Sequence, residues 1–376
     1  MTTSYPVPFA SEEPLGSVTR VLALAEGDGV DVFVGRSLPQ LSGRVYGGQV
    51  MAQGLLAAAA TLPREAGAGD AASAPGAGPH PADDLAVATP ASGAGPHQGA
   101  PSGPGARPEA ARAGAPRPVR EPHSLHAYFL RGGRLKEPIE FHVERLHDGR
   151  SFSQRRTTAV QDGEVLLAMI SSYQLPQEGE DVQIPPPVVP PPEDLPSAIE
   201  IFRSVNHPAA RFLGRTAAFD VRHVQGGIYL RPDAVRRDRQ QLWLRARGKV
   251  PDSATQTVHR ALLTYVCDQV MLEPALRSRG LSWRTRGMSL ATLDHAQWFH
   301  RDVDMGDWLL YVQDSPSSQG GRGMARAQVF DSSGRLVSTI AQEGMVRMPA
   351  ASQSDGGSGR WRIRMGEGDD GSTIPG

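Results

Sequence analysis

One order of segments occurs twice along this chain, and that repetition constrains the fold more than any other feature. In the first half, YGGQVMAQGLLAAAATLP opens on two glycines, continues through small and apolar residues and is closed by Pro63. This is the pattern of a buried helix over residues 48–61. A short helix near 18–24 and an extended stretch near 31–38 precede it. Strand-like segments follow: HSLHAYFLR, PIEFHVERLHDG, SFSQRRTTAVQDG and EVLLAMISSYQL, with Asp148-Gly149 and Asp162-Gly163 as hairpin signals between them. In the second half AAFDVRHV and QLWLRARGKV lead into a helix, TVHRALLTYVCDQVML. Then come SLATLDHAQWFHR, DWLLYVQD, GRGMARAQVFD and RLVSTIAQEGMVR. Phe129-Leu130-Arg131 falls on Phe299-His300-Arg301, Phe141-His142-Val143 on Leu310-Tyr311-Val312, and the turn Asp162-Gly163 on Ser333-Gly334. Identities are few, but the shared element order points to an internal duplication.

A long helix followed by antiparallel strands is an α+β layout. The helix is apolar nearly all round, so it belongs inside a wrapping sheet and not on its surface. A sheet curled around one helix is the hotdog shape. Two tandem copies, each an antiparallel sheet around one long helix, make a double hotdog.

The 42 glycines and 32 prolines mark the boundaries of these copies. Residues 66–121 are almost entirely Ala, Gly, Pro, Ser and His, and bury too little apolar area to offset their ordering entropy. They are expected to be a disordered insertion. Residues 176–199 contain PPPVVPPPEDLP, a stiff extended linker. Residues 350–376 form a Gly/Ser/Asp-rich tail, also expected to be disordered. The expected domains are therefore 15–175 and 200–349. Lys+Arg number 39 against 40 Asp+Glu, and no basic block stands out, which removes the simplest case for a nucleic-acid or anionic-membrane partner. One cysteine, Cys267, excludes an intramolecular disulfide and a cysteine-based zinc site. The N-terminal residues lack the basic and apolar regions of a signal peptide, and no run approaches the roughly 18 apolar residues of a membrane helix. A cytoplasmic protein without stable membrane insertion is expected.

Asp268 breaks two local rules together. Ala261, Tyr265 and Leu272 put it on an apolar stripe of its helix, where a carboxylate is costly unless hydrogen-bonded. It also lies toward the helix C-terminus, where the macrodipole disfavours negative charge. Such conflicts mark functional sites, although a solvated or structurally paired Asp would show the same pattern. Gln342 shares strand parity with Leu336, Ile340 and Val346, so its amide faces the apolar side and needs partners. A core Gln bonded to backbone fits equally well. Thr292 is ordinary for a strand.

Other signals are weaker. GMSLA at 287–291 lacks the second glycine of a nucleophile elbow and continues as a strand. Asp294-His295 resembles half a triad, but adjacent strand residues point to opposite faces. His123 and His126 also diverge, which argues against a metal pair. Gly47-Gly48-Gln49 matches the tripeptide of peptidyl-tRNA-hydrolysing release factors, but here it opens an apolar helix in a chain with no basic face. Cys267 has no activating cation near it in sequence and reads as a small core residue.

YGGQVMAQGL, SLHAYFLRGG, DGRSFSQRRTTAVQDG, MSLATLDHAQWFHR and STIAQEGMVR, in this order, resemble the acyl-CoA thioesterase II family over both globular parts. The long insertion and the tail depart from it outside the core elements. The resemblance implies hydrolysis of a fatty acyl thioester of coenzyme A by a water that Asp268, Thr292 and Gln342 orient, with no cofactor and no metal, in a homodimer or homotetramer. In the first half the counterparts of these residues fall near Ala57 to Ala60, Pro122 and Ser171, so no carboxylate replaces Asp268 there and one site per chain is expected. Gly47 and Gly48 allow close backbone approach, and Gly48 is the candidate donor to the carbonyl oxygen as it becomes negative. Two rivals stand beside this reading: an acyl-CoA-binding module without turnover, and an enoyl-CoA hydratase-like enzyme, for which His259 is the one histidine on the second helix.

Overall fold

The computed structural model describes residues 13–63 and 119–348. The insertion and tail expected at 66–121 and 350–376 lie almost wholly outside the described residues. The first half comprises helix α1 (Pro14–Leu22), strands β1 (Ala25–Glu26) and β2 (Val32–Gly35), helix α2 (Gly47–Ala60), and strands β3 (Glu121–Phe129), β4 (Ile139–Asp148), β5 (Phe152–Gln161) and β6 (Glu164–Gln174). The second comprises α3 (Ala198–Ser204), α4 (Pro208–Thr216), β7 (Phe219–His223), β8 (Arg239–Ala246), α5 (Gln256–Val270), α6 (Glu273–Ser278), β9 (Ser289–Phe299), β10 (Leu309–Gln319), β11 (Arg322–Phe330) and β12 (Leu336–Arg347). Residues 176–197 form no helix or strand apart from one 3-10 turn, Pro192–Asp194. This stretch is fastened to the second half where Gln183 bonds the backbone of Gly334 and Leu336, and Trp243 Nε1 donates to the Pro190 carbonyl.

The two sheets expected from the sequence are one sheet. Its order is β1-β2-β4-β5-β6-β3-β9-β12-β11-β10-β8-β7, palindromic about the antiparallel β3–β9 seam. Matched bulges support the duplication. His123 is the extra residue where β3 pairs β6, and Leu293 is the extra residue where β9 pairs β12. One element of the sequence alignment is corrected. Phe141 and Tyr311 are the inward-facing third residues of β4 and β10, so Phe141 corresponds to Tyr311 and not to Leu310. The slip arose because Leu309, Leu310 and Tyr311 are all buried, which erases the alternation that sets register.

Both long helices are wrapped by the sheet. Helix α2 has no side-chain cap at Tyr46 and no charged residue in its end turns. Its stability must therefore come from burial, and Val50, Met51, Leu55 and most of its alanines are buried. Its C-terminus is held by a fully buried guanidinium, with Arg155 donating to the Thr61 carbonyl and hydroxyl and to Asp148. The β5–β6 hairpin turns on Asp162 and Gly163, both at positive φ, as Asp-Gly predicts.

Candidate active site

Helices α2 and α5 meet end to end of opposite sense. The first turn of α2 lies against the last turns of α5, and the contact is close enough to require glycine. A Cβ on Gly48 would sit 2.2 Å from the Tyr265 carbonyl oxygen, and one on Gly47 would sit 2.8 Å from Asp268 Oδ2. Tyr46 closes the same junction, its hydroxyl donating to the Tyr265 carbonyl at 2.6 Å. Burial and the neighbouring Asp268 charge push the Tyr46 phenol well above its usual pKa, so it remains a neutral donor.

At this junction the structure brings Asp268, Thr292 and Gln342 together. Thr292 Oγ1 donates to Asp268 Oδ1 at 2.6 Å, and Gln342 Nε2 donates to the same oxygen at 3.0 Å. Gln342 Nε2 also lies 3.2 Å from Thr292 Oγ1. The Gly48 N–H donates to Asp268 Oδ2 at 3.1 Å. The carboxylate stands at the unfavourable C-terminal end of its own helix, but the positive N-terminal end of α2 faces it. That resolves the conflict noted in the sequence. Gln342 is fully buried, while Asp268 and Thr292 are only partly covered.

The Gly48 N–H, the candidate donor to a substrate carbonyl oxygen, donates here to the Asp268 carboxylate. The sequence shows the glycines but not the helix end that fills the space before them.

Thr292 reaches the site through the bulge. Thr292 and His295 are three residues apart and in a regular strand would face opposite sides of β9; the bulge at Leu293 brings both to the inner face. His295 is the residue that sequence reasoning passed over. Its Nδ1 lies 2.7 Å from Gln342 Oε1, and the ring is buried. Asp294 does turn away, accepting the Glu343 N–H, so the inference that the pair diverges holds. The signal for His295 was its parity with Gln297 and Phe299, both buried on the inner face.

The remaining candidates do not join the cluster. His259 Nδ1 accepts the Met305 N–H at the other end of α5. His123 pairs with Ser172, and exposed His126 stacks edge-on with Trp298. The Cys267 thiol is buried and pushed up to about 12, chiefly by burial. In the first half, Pro122 and Ser171 occupy the strand positions of Thr292 and Gln342. Tyr173, fully buried and bonded through its hydroxyl to the Leu55 carbonyl at 2.8 Å, stands two residues beyond Ser171, as Gly344 stands two beyond Gln342. Bulk thus replaces chemistry at the pseudo-symmetric position.

A single antiparallel sheet wrapping two long helices, one from each half, defines a double-hotdog protein. A solved hotdog-fold structure from Alicyclobacillus acidocaldarius has this architecture, with a TM-score of 0.60 over 89% of this chain and 99% of that one at 18% identity. Residues 189–346 match the family model for the acyl-CoA thioesterase C-terminal domain, and residues 86–174 match the one for the N-terminal domain. Acyl-CoA thioesterase 2 of Haemophilus influenzae is 32% identical over 234 residues, covering 60% of this chain and 79% of that protein. The crystal structure of the acyl-CoA thioesterase II TesB2 from Mycobacterium marinum aligns with TM-score 0.61 and 30% identity, over 89% of this chain and all of that one. The chain belongs to the acyl-CoA thioesterase II family, whose members are thioester hydrolases.

Proposed function

We propose that this protein hydrolyses fatty acyl-CoA to a free fatty acid and coenzyme A, with Asp268 as general base. The observation that carries the proposal is the convergence of Thr292 and Gln342 on one oxygen of a carboxylate whose other oxygen is held by Gly48. Oδ1 already accepts two hydrogen bonds, so the lone pair left for a water proton is on Oδ2, which accepts only from Gly48. Thr292 Oγ1 donates to Asp268 and keeps a lone pair for the water's second hydrogen. A water held at both points directs its own lone pair at the thioester carbonyl, a positioning effect. Asp268 accepts the proton as the water oxygen bonds to the acyl carbon. The tetrahedral intermediate collapses, the C–S bond breaks, and the departing sulfur takes the proton from Asp268. A thiolate is a good leaving group, so no stronger acid is needed.

Gln342 acts on this water through the groups it holds, since its amide N–H groups go to Asp268 and Thr292. Thr292→Val and Gln342→Ala are therefore expected to lower kcat individually, with a double variant much less impaired than the product of the two effects. Release of free thiol from acyl-CoA substrates of graded chain length tests the function and these variants together. Tight acyl-CoA binding with no thiol release would instead establish the binding-module reading.

The assembly proposed is a homodimer or homotetramer of double hotdogs. The sheet ends in β1, two residues long, and β7, five residues long, and open edges of this kind call for cover. Light scattering at micromolar concentration is expected to give a multiple of the 40.2 kDa chain mass; a species of that mass alone refutes the proposal.

A further inference from the structure

We propose that His295 is a positioning residue for this reaction, holding the Gln342 amide in the one orientation that supports Asp268. The proposal rests on the reading of Asp268 as the base. Gln342 has two ends, and only one arrangement is compatible with its surroundings. Its Nε2 must face Asp268, because an ionised carboxylate accepts and cannot donate. Its Oε1 therefore faces His295 Nδ1 at 2.7 Å and needs a hydrogen from it. This assigns the Nδ1–H form to the ring, with the partner as the reason. His295 Nε2 is buried without a well-formed hydrogen bond; the side chain that also acts on the ring is Gln297, whose Oε1 is already taken by the Thr264 hydroxyl. An unpartnered lone pair there is tolerable; an unpartnered N–H would cost more. Burial lowers the affinity of the ring for a second proton, against the pull of Gln342, the Asp268 charge, Gln297 and the Asp294 charge. The ring remains a neutral, fixed donor.

Without that donor, no group among the described residues on the His295 side distinguishes the two ends of Gln342. A flipped amide would turn Oε1 toward the Asp268 carboxylate, acceptor against acceptor, and release Thr292 from its second contact. The bulge at Leu293 is what allows this arrangement, since it brings both Thr292 and His295 to the inner face. In the first half the corresponding strand position is Leu125, a buried apolar residue, and the strand counterpart of Gln342 is Ser171. The donor and the amide it orients are thus absent together where the base is absent.

Two substitutions of similar shape separate positioning from packing. His295→Asn places an amide N–H at the position of Nδ1, whereas His295→Leu fills the space without a donor. His295→Leu is expected to lower kcat about ten- to a hundred-fold, the range for losing a partner that orients an active group, with KM little changed. His295→Asn is expected to recover most of that loss. Combining His295→Leu with Gln342→Ala should be no worse than Gln342→Ala alone, because the ring acts through that amide. Nitrogen-15 shifts of the wild-type imidazole should report Nδ1–H at neutral pH, a readout that does not depend on how well a variant folds. Equal losses in the Asn and Leu variants, full activity in the Leu variant, additive losses with Gln342→Ala, or an Nε2–H tautomer would each overturn the proposal. An active Asp268→Asn would instead remove the reading beneath it, whereas an inactive Asp268→Asn beside an active His295→Leu would sink only the inference about His295.

Discussion

Asp268→Asn is expected to lower kcat on the order of 10²-fold or more, with KM changed little. The substitution keeps the shape but removes the proton acceptor. It also sets an amide against its surroundings. With the new carbonyl oxygen kept toward Thr292 and Gln342, the new NH2 group would face the Gly48 N–H, donor against donor. The α2–α5 junction loses a hydrogen bond as well as the base, so a modest fall in melting temperature should accompany the kinetic loss. Steady-state thiol release on folded protein is the measurement. Wild-type turnover in this variant would end the mechanism.

Glu273→Ala is expected to be the most destabilising single change considered, on the order of 3–5 kcal/mol, the cost of breaking a buried charge cluster by removing one member. Glu273 is fully buried at the start of α6 and accepts bonds from His223, Gln240 and Trp283. Gln240 passes the network to Arg277, whose guanidinium grips Asp233 with two bonds. Burial alone would raise the pKa of Glu273, but the His223 charge and the three hydrogen bonds outweigh it and hold the carboxyl below its ordinary value of 4.5. A folded-state pKa below the unfolded one gives stability that is present above the unfolded value and is lost as pH falls through the folded one. Urea unfolding of wild type should therefore show a decline on acidification below the ordinary carboxylate range. Glu273→Ala should start lower and decline less. A change under about 1 kcal/mol would mean that α6 is held mainly by its apolar contacts.

The helices, most strands and their order were legible because period and turn chemistry agree over long segments. The apolar helix following Gly47 and the Asp162-Gly163 hairpin are examples. Register was not legible where alternation fails, as across Leu309 to Tyr311. The site was legible in part. Asp268 and Gln342 each conflicted with an apolar neighbourhood, so they could be singled out from the residues themselves. Thr292 could not, because an extra strand residue leaves no compositional trace and only the bulge at Leu293 turns it inward. Gly48 was recognised as a close-approach residue, but its contact with Asp268 was not legible, since it spans 220 positions and depends on how two helices end against each other.

The β3–β9 seam joins two similar halves within one polypeptide, and that has a consequence for how such a molecule can change. In an association of two identical chains, every substitution appears on both sides of the symmetry axis, so a residue that suits chemistry at one end is imposed at the other. Fusion lifts that constraint. One end here keeps Asp268, Thr292 and Gln342, with Gly344 leaving room beside them for Leu272. The other carries Tyr173 and Arg155, which tie α2 to the sheet. Each end can be selected for its own task, so mutations that harden the Tyr173 end should be accepted without the loss of activity that hardening a catalytic cleft usually brings.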